Sequence, residues 1–190
     1  MSNFVAIDFE TADHGRDSAC AVGVVKVSSG KIVEVSHHLI RPPRPIFVFS
    51  HLHGITWERV KDEPDFGEVW LQVAGLIEPS DLLLAHNASF DRSVLAQCCD
   101  AHDIDVPSNE FVCTVKVARA VWNIRPTNLA NVSHHLQIDL QHHHAESDAL
   151  ACAKIGLAAL AMGNDLLDTT RRTPKRKGSD LLPDFHTSTD

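Results

Sequence analysis

The hydrophobic positions near the start of the chain are dense and follow each other closely, as in β-strands. Residues 3–9 contain the nearly continuous apolar run FVAI at 4–7, and residues 20–27 and 31–40 are rich in valine. The latter two segments are separated by Ser-Ser-Gly at 28–30, which is typical of a hairpin turn. The sequence therefore predicts three early strands, of which the second and third form a hairpin.

Helical spacing takes over after a proline-rich segment at 41–45, which opens a long predicted loop through residues 53–56. Asp65 followed by Glu68 resembles a capping box and predicts the start of a helix with a stripe of apolar residues. Residues 81–86 (DLLLAH) predict a short buried strand, and Ser89 is the expected cap of a helix that runs to about residue 101.

Further helices are expected at residues 114–121, 128–136 and 145–162. Early strands followed by βα and helical segments favour an α/β fold, in which a mixed sheet of about five strands is covered by helices. The length of 190 residues fits one domain with a tail. Residues 164–190 have almost no apolar periodicity and carry five cations within 171–177, so they are expected to be a flexible appendage to a domain at 1–163.

Composition narrows the classes of function. No apolar run approaches the roughly 20 residues of a membrane helix. Five cysteines without a C-x-x-C pair favour a reducing cytoplasm over a disulfide scaffold. The 25 acidic and 17 basic residues give a net charge of −8, which disfavours a protein that holds nucleic acid by bulk charge alone. A protein that meets phosphates through metal ions remains compatible with this charge.

Acidic residues mark three separate junctions between buried segments and loops. Asp8 and Glu10 share one face at the end of the first strand, Asp91 lies in a first helical turn, and Asp148 follows a triple histidine at 142–144. Each has an ordinary alternative, namely a solvated strand end, a favourable first-turn acid, and a surface histidine run. Zinc binding by the histidines is the weaker alternative, because consecutive side chains diverge and no second cluster supplies partners.

Together, these acids are what a site for paired hard cations requires. Mg²⁺ and Mn²⁺ take carboxylate oxygens, and clustered carboxylates without a metal repel one another. We therefore expect the acids to converge in the folded chain.

The motifs D-F-E-T at 8–11, H-N-x-x-F-D at 86–91 and H-x(4)-D at 143–148 occur in an order that resembles the DEDDh 3′–5′ exonucleases. This ribonuclease-H-like family includes bacterial polymerase proofreading (epsilon) subunits and exonuclease X. The HGIT loop at 53–56 and the segment 128–136 add to the resemblance, which covers roughly residues 3–160. The polar segment 12–16 departs from the family pattern.

The resemblance implies a ribonuclease-H-like mixed sheet with helices on both faces. It also implies site residues in three sets. The metal-binding carboxylates are Asp8, Glu10, Asp91 and Asp148, which hold two Mg²⁺ or Mn²⁺ ions. His143 is the general base that accepts a proton from the attacking water, while His142 and His144 receive no role. The 3′-terminal nucleotide is expected near Thr11, His53, Asn87 and Phe90.

The expected function is 3′–5′ exonuclease activity on single-stranded DNA ends, releasing 5′-mononucleotides, in proofreading or DNA repair. An exoribonuclease on short RNA shares every catalytic residue and stays open. A recruitment module is the third alternative, because residues 181–185 (LLPDF) faintly resemble a sliding-clamp-binding peptide. A polymerase or clamp is therefore an expected partner, and no membrane partner is expected.

Overall fold

The computed structural model describes residues 3–79 and 81–171, and these form a five-stranded mixed sheet with helices on both faces. The strand order is β3-β2-β1-β4-β5; β1 is antiparallel to β2 and parallel to β4. The predicted fold class is confirmed. The strands are β1 (Phe4–Thr11), β2 (Ala19–Ser28), β3 (Lys31–Leu39), β4 (Leu82–Ala85) and β5 (Phe111–Cys113).

Among the described residues, two groups of helices cover the two faces of the sheet. The face that includes Phe4 and Ala6 of β1 packs against α5 to α8, and the face that includes Val5 and Ile7 packs against α3 and α4. Because β1 is covered on both faces, its apolar run is continuous rather than alternating. The helices are α1 (Ser50–His53), α2 (Trp57–Val60), α3 (Phe66–Ala74), α4 (Ser89–Ala101), α5 (Thr114–Trp122), α6 (Leu129–His135), α7 (Ala145–Ala161) and α8 (Leu166–Arg171).

Two local predictions agree with the structure in detail. The β2–β3 hairpin turns at Ser29 and Gly30, both with positive φ, as a two-residue turn requires. Asp65 caps α3 as predicted, because its side chain accepts from the backbone N–H of Glu68 while the Glu68 side chain accepts from that of Asp65.

Other local predictions are wrong. The loop expected from residues 41–45 through residues 53–56 contains the short helix α1, and neither α2, which follows the loop directly, nor β5 was predicted. Ser89 is not the cap of α4, because the cap position is Ala88 and the Ser89 hydroxyl instead donates to the side chain of Asn87. A three-residue strand and single-turn helices are too short for periodicity to reveal.

Ordered structure continues past the expected boundary at residue 163. Helix α8 buries Leu166 and Thr169, and it packs against α5 and β5. A helix of six residues with only two leucines is too short to show apolar periodicity, which explains why the pattern did not predict it. Residues 172–190, including most of the basic run and the LLPDF segment at 181–185, lie outside the described residues. In the described part of the chain, no helix has the length and apolar character needed to cross a bilayer.

Candidate active site

The end of β1 presents two carboxylates on one face. Asp8 and Glu10 point the same way, whereas Phe9 between them is buried in the core on the other face. In the register with β2, Asp8 lies opposite Gly23. The pairing with β2 is irregular between Glu10 and Thr11, so the strand pair changes register where the acidic face ends.

Asp91 comes to β1 from the first turn of α4. Asp91 is only 1% exposed. One carboxylate oxygen accepts a hydrogen bond of 3.1 Å from the backbone N–H of Phe9, which lies between the two acids of β1. This bond fixes the start of α4 against the end of β1, although the two residues are far apart in sequence.

Asp148 comes from the first turn of α7 and is 4% exposed. Its Oδ2 accepts from the backbone N–H of His143 at 3.1 Å and lies 3.0 Å from Nδ1 of His142. Its Oδ1 is buried and has no hydrogen-bond partner within the described residues. A buried carboxylate oxygen without a donor is costly, so this atom is suited to a cation.

Gly23 allows α7 to approach the sheet closely enough to bring Asp148 to the strand acids. A Cβ atom at this position would lie 2.1 Å from the backbone oxygen of Ala145, the first residue of α7. No side chain fits between β2 and this helical turn. An isolated glycine within a valine-rich strand is a sequence signal for such a close approach, although no prediction was made from it.

The four acids therefore converge from β1, α4 and α7, as expected. Oxygens of Asp8, Glu10 and Asp148 lie within 4.8 Å of one another. Asp91 lies outside this closest group, but its charge is the largest coulombic cause that raises the pKa of Asp8. The three elements form one pocket of carboxylates.

Burial raises the pKa of every one of these carboxyls, and repulsion from neighbouring acids adds to the shift for Asp8, Glu10 and Asp91. For Asp8 the cause is burial, followed by the charges of Asp91, Asp148 and Glu10. Burial, followed by the charges of Asp148 and Asp91, raises the pKa of Glu10 to about 7. Burial also raises the pKa of Asp91 to about 7. The pKa of Asp148 is also raised by burial, although His142 opposes the shift. Such a cluster fits hard divalent cations, which favour carboxylate oxygens and offset the repulsion.

His142 and His143 contact this pocket at Asp148. The rings of His142 and His143 stack with their centroids 4.0 Å apart. The His142 ring contacts Asp148, whereas His143 contacts it through its backbone N–H and has a positive φ of 65°. Burial, followed by the charge of His142, lowers the pKa of the His143 imidazole. The motif spacing assigned a role to His143 only and did not reveal that the His142 ring contacts Asp148.

The expected nucleotide-binding residues lie in two groups around the acids. His53 is fixed beside Thr11: the backbone N–H of Ile55 donates to its Nδ1 at 3.0 Å, so Nε2 carries the proton and donates to the Thr11 carbonyl at 3.2 Å. The second group lies at the start of α4, just before Asp91: Asn87 is exposed with a positive φ of 67°, and Phe90 is partly exposed.

Sequence reasoning missed the role of two arginines, Arg16 in the segment after β1 and Arg44 in the proline-rich segment after β3. The Arg44 guanidinium bridges Asp13 and Asp17 with bonds of 2.7–2.8 Å, and it holds the pKa of both carboxyls below the ordinary range. The Arg16 guanidinium lies 4.3 Å above the ring of Phe90. Its charge also partly opposes the rise that burial causes in the pKa of Asp91. These partners lie too far apart in the chain for a local pattern to indicate them.

Known proteins resemble this chain in both sequence and structure. A family model described as Exonuclease (RNase_T) matches residues 5–155. The DNA polymerase III PolC-type of Thermotoga maritima is 32% identical over 168 residues, which are 85% of this chain and 12% of that protein. Exodeoxyribonuclease 10 of Escherichia coli K12 is 37% identical over 115 residues, 57% of this chain and 46% of that protein. The chain thus spans less than half of either relative.

Two solved structures have the same fold. Exonuclease X in complex with 5′ overhanging duplex DNA has a TM-score of 0.70 at 28% identity and covers 88% of this chain and 99% of that one. The nuclease domain of 3′hExo, a DEDDh family member bound to rAMP, has a TM-score of 0.72 at 20% identity, covering 87% of this chain and 94% of that one. The architecture around the acids is therefore shared with nucleases.

Proposed function

The chain belongs to the Exonuclease (RNase_T) family, and we propose that it is a metal-dependent 3′–5′ exonuclease that releases 5′-mononucleotides from single-stranded DNA ends. The observation that carries the proposal is the convergence of Asp8, Glu10, Asp91 and Asp148 from three separate elements. Raised pKa values of this kind are typical of carboxylates at functional sites.

The four carboxylates are the proposed ligands of two Mg²⁺ or Mn²⁺ ions. Asp8 would contact both ions, Glu10 and Asp148 would complete one site, and Asp91 would help to hold the second. Bound ions would stabilise the negative charge that develops on the attacking and leaving oxygens of the phosphodiester. The unpartnered Oδ1 of Asp148 supports its place among the ligands.

His143 is the proposed general base. Its imidazole would accept the proton of the attacking water at a ring nitrogen. The lowered pKa keeps the ring neutral, and therefore able to accept a proton, near pH 7. His142 would hold Asp148 through the contact at 3.0 Å, so it is a positioning residue.

The 3′-terminal nucleotide would lie between two groups of residues. Thr11 and His53 form one side, where the His53 ring is fixed to the end of β1. Asn87 and Phe90 form the other, at the start of α4.

The relatives support DNA as the substrate and proofreading or repair as the setting. Exonuclease X was solved with 5′ overhanging duplex DNA, and the PolC-type relatives are DNA polymerases. A polymerase partner is part of this proposal. The RNA alternative uses the same catalytic residues, and discrimination must come from contacts to the 2′-hydroxyl.

A labelled oligonucleotide assay tests the proposal. A single strand labelled at its 5′ end should shorten stepwise from its 3′ end with Mg²⁺ or Mn²⁺, and a chelator should abolish the reaction. Asp8→Asn and Asp148→Asn should abolish cleavage while the variants stay folded by circular dichroism. Glu34→Gln, an exposed acid on β3, is the matched control and should retain full activity.

Matched DNA and RNA strands in the same assay decide the sugar preference. Faster cleavage of DNA supports the proposed substrate, and faster cleavage of RNA favours the exoribonuclease. Wild-type turnover by Asp148→Asn would contradict the assignment of the site.

A further inference from the structure

A groove lies next to the carboxylate pocket, between α4 and α5 at the β5 edge of the sheet. Its volume is about 600 Å³. Residues of α4, β5, α5 and α8 form its walls. None of the proposed catalytic groups lines it.

The charge of this groove is opposite to that of the whole protein. Arg92, Lys116 and Arg119 are exposed and line it, and no acidic residue is among the lining residues. Lys116 and Arg119 are three residues apart on α5, so they lie on the same side of that helix. None of the three cations forms an ion pair within residues 3–79 and 81–171. In a chain with a net charge of −8, this is a local positive surface.

The groove is continuous with the proposed active site along the chain. Asn87, Ala88 and Ser89 line it, and Asp91 follows in the first turn of the same helix. Arg92 is exposed while its neighbour Asp91 is buried. One face of the start of α4 thus serves the carboxylate pocket and the adjacent face serves the groove.

We propose that this groove binds the part of the nucleic-acid strand that precedes the terminal nucleotide, with Arg92, Lys116 and Arg119 at its phosphates. This inference rests on the proposed function and names the path of its substrate. A nucleic-acid strand carries one phosphate per nucleotide, so successive phosphates can contact the separate cations of the groove. Phe111 and Val115 supply apolar surface for sugars and bases. Asn87 and Ser89 add hydrogen-bonding groups at the end near the acids.

The path explains how an acidic protein can retain a polyanion. The acids surround the reacting phosphate only, whereas retention of the strand depends on phosphate contacts away from them. The groove should therefore contribute to the binding of long strands and contribute nothing for a substrate that ends at the pocket.

The test compares long and short ligands in one variant and a matched control. Arg92→Ala combined with Lys116→Ala removes two groove cations, and Lys31→Ala removes an exposed cation at the β2–β3 turn. Binding is measured in the presence of Ca²⁺ by fluorescence anisotropy, with single strands of about 3 and about 12 nucleotides. Hydrolysis of an aryl ester of thymidine 5′-monophosphate reports on the carboxylate pocket alone.

We expect the double variant to bind the longer strand about tenfold more weakly, with a salt slope reduced by about 0.7 for each cation removed. Its affinity for the short strand and its hydrolysis of the ester should match those of the Lys31→Ala control. Unchanged binding of the longer strand, with ester hydrolysis intact, would contradict the proposed role of the groove but not the proposed nuclease activity. An ester that is not hydrolysed even by the wild-type protein would instead contradict the proposed function.

Discussion

His142 and His143 lie side by side at the rim of the carboxylate pocket, but they contact Asp148 through different atoms. The ring of His142 lies 3.0 Å from its Oδ2, whereas His143 donates to it from the backbone. The ring of His143 is therefore not held by this acid and is available for proton transfer. The neighbouring ring is engaged in orienting a proposed metal ligand, which is a different task.

Alanine substitutions should separate the two tasks. His143→Ala should lower kcat about 10²–10⁴-fold, the usual contribution of a general base, without changing the Mg²⁺ concentration for half-maximal rate. His142→Ala should raise that Mg²⁺ concentration about tenfold or more, because it loosens Asp148. Metal titrations of initial rate measure both quantities. Reversed effects of the two substitutions would exchange the assigned roles.

At the residue scale, the acids could be predicted from the sequence, and their surroundings could not. Asp8, Glu10, Asp91 and Asp148 each lie where a buried segment meets a loop. The order of the motifs that contain them also indicated these four residues. The contact between Arg44 and Asp13, or between Arg16 and Phe90, joins segments that no periodicity relates. Such contacts depend on the completed fold.

At the scale of elements, the position of α7 depends on one residue of β2. Gly23 lies opposite Asp8 in the strand register, and α7 begins directly above it. The helix can bring Asp148 to Asp8 only because no Cβ intervenes. A strand residue with no catalytic atom therefore determines the geometry of the pocket.

Gly23→Ala should lower kcat strongly and cost stability. The added Cβ would lie 2.1 Å from the backbone of Ala145 and must push the first turn of α7 away. We expect about 1–3 kcal/mol loss of unfolding free energy and about 10²-fold loss of kcat, since displacements near 1 Å have that effect. Urea denaturation and the oligonucleotide assay measure them.

Gly75→Ala is the control for this substitution. Its added Cβ would meet the nearest atom at 3.5 Å, an ordinary contact, and its φ of −63° suits alanine. This variant should keep full activity. If Gly23→Ala behaved in the same way, the close approach of α7 would have no role in the site.

The predictability of the elements follows their length and local chemistry. The hairpin at Ser29 and Gly30 and the capping box of Asp65 are encoded by neighbouring residues, and both were predicted. Helix α8 and strand β5 are short, and they are held by tertiary packing, as the burial of Leu166 shows. Local propensity cannot reveal segments of that kind.

At the scale of the whole molecule, negative charge is concentrated in the pocket and positive charge lies beside it. The pocket raises the pKa of each acid, so folding without divalent ions opposes their ionisation. The groove of Arg92, Lys116 and Arg119 has the opposite charge. The net charge, which disfavoured only a protein that holds nucleic acid by bulk charge, does not reveal this division.

The stability of the metal-free protein should fall as the pH rises through neutrality, and Glu10 should carry part of that loss. Its pKa is raised from 4.5 to about 7 in the folded chain, so its contribution is fully present below about pH 4.5 and is lost as the pH passes 7. Glu10→Gln removes this dependence. Relative to the wild type, the variant should gain about 1–2 kcal/mol of unfolding free energy between pH 5 and 8 in chelator, after allowance for solvent screening.

Urea denaturation at the two pH values measures this difference, and comparison with the wild type cancels unrelated groups such as His86, whose pKa burial lowers to about 4. Glu34→Gln, an exposed acid, should show no change in the difference. Millimolar Mg²⁺ should stabilise the wild type more than Glu10→Gln at pH 8, because a bound cation removes the repulsion that the substitution has already reduced. Equal stabilisation of both proteins by Mg²⁺ would mean that Glu10 does not face the ions.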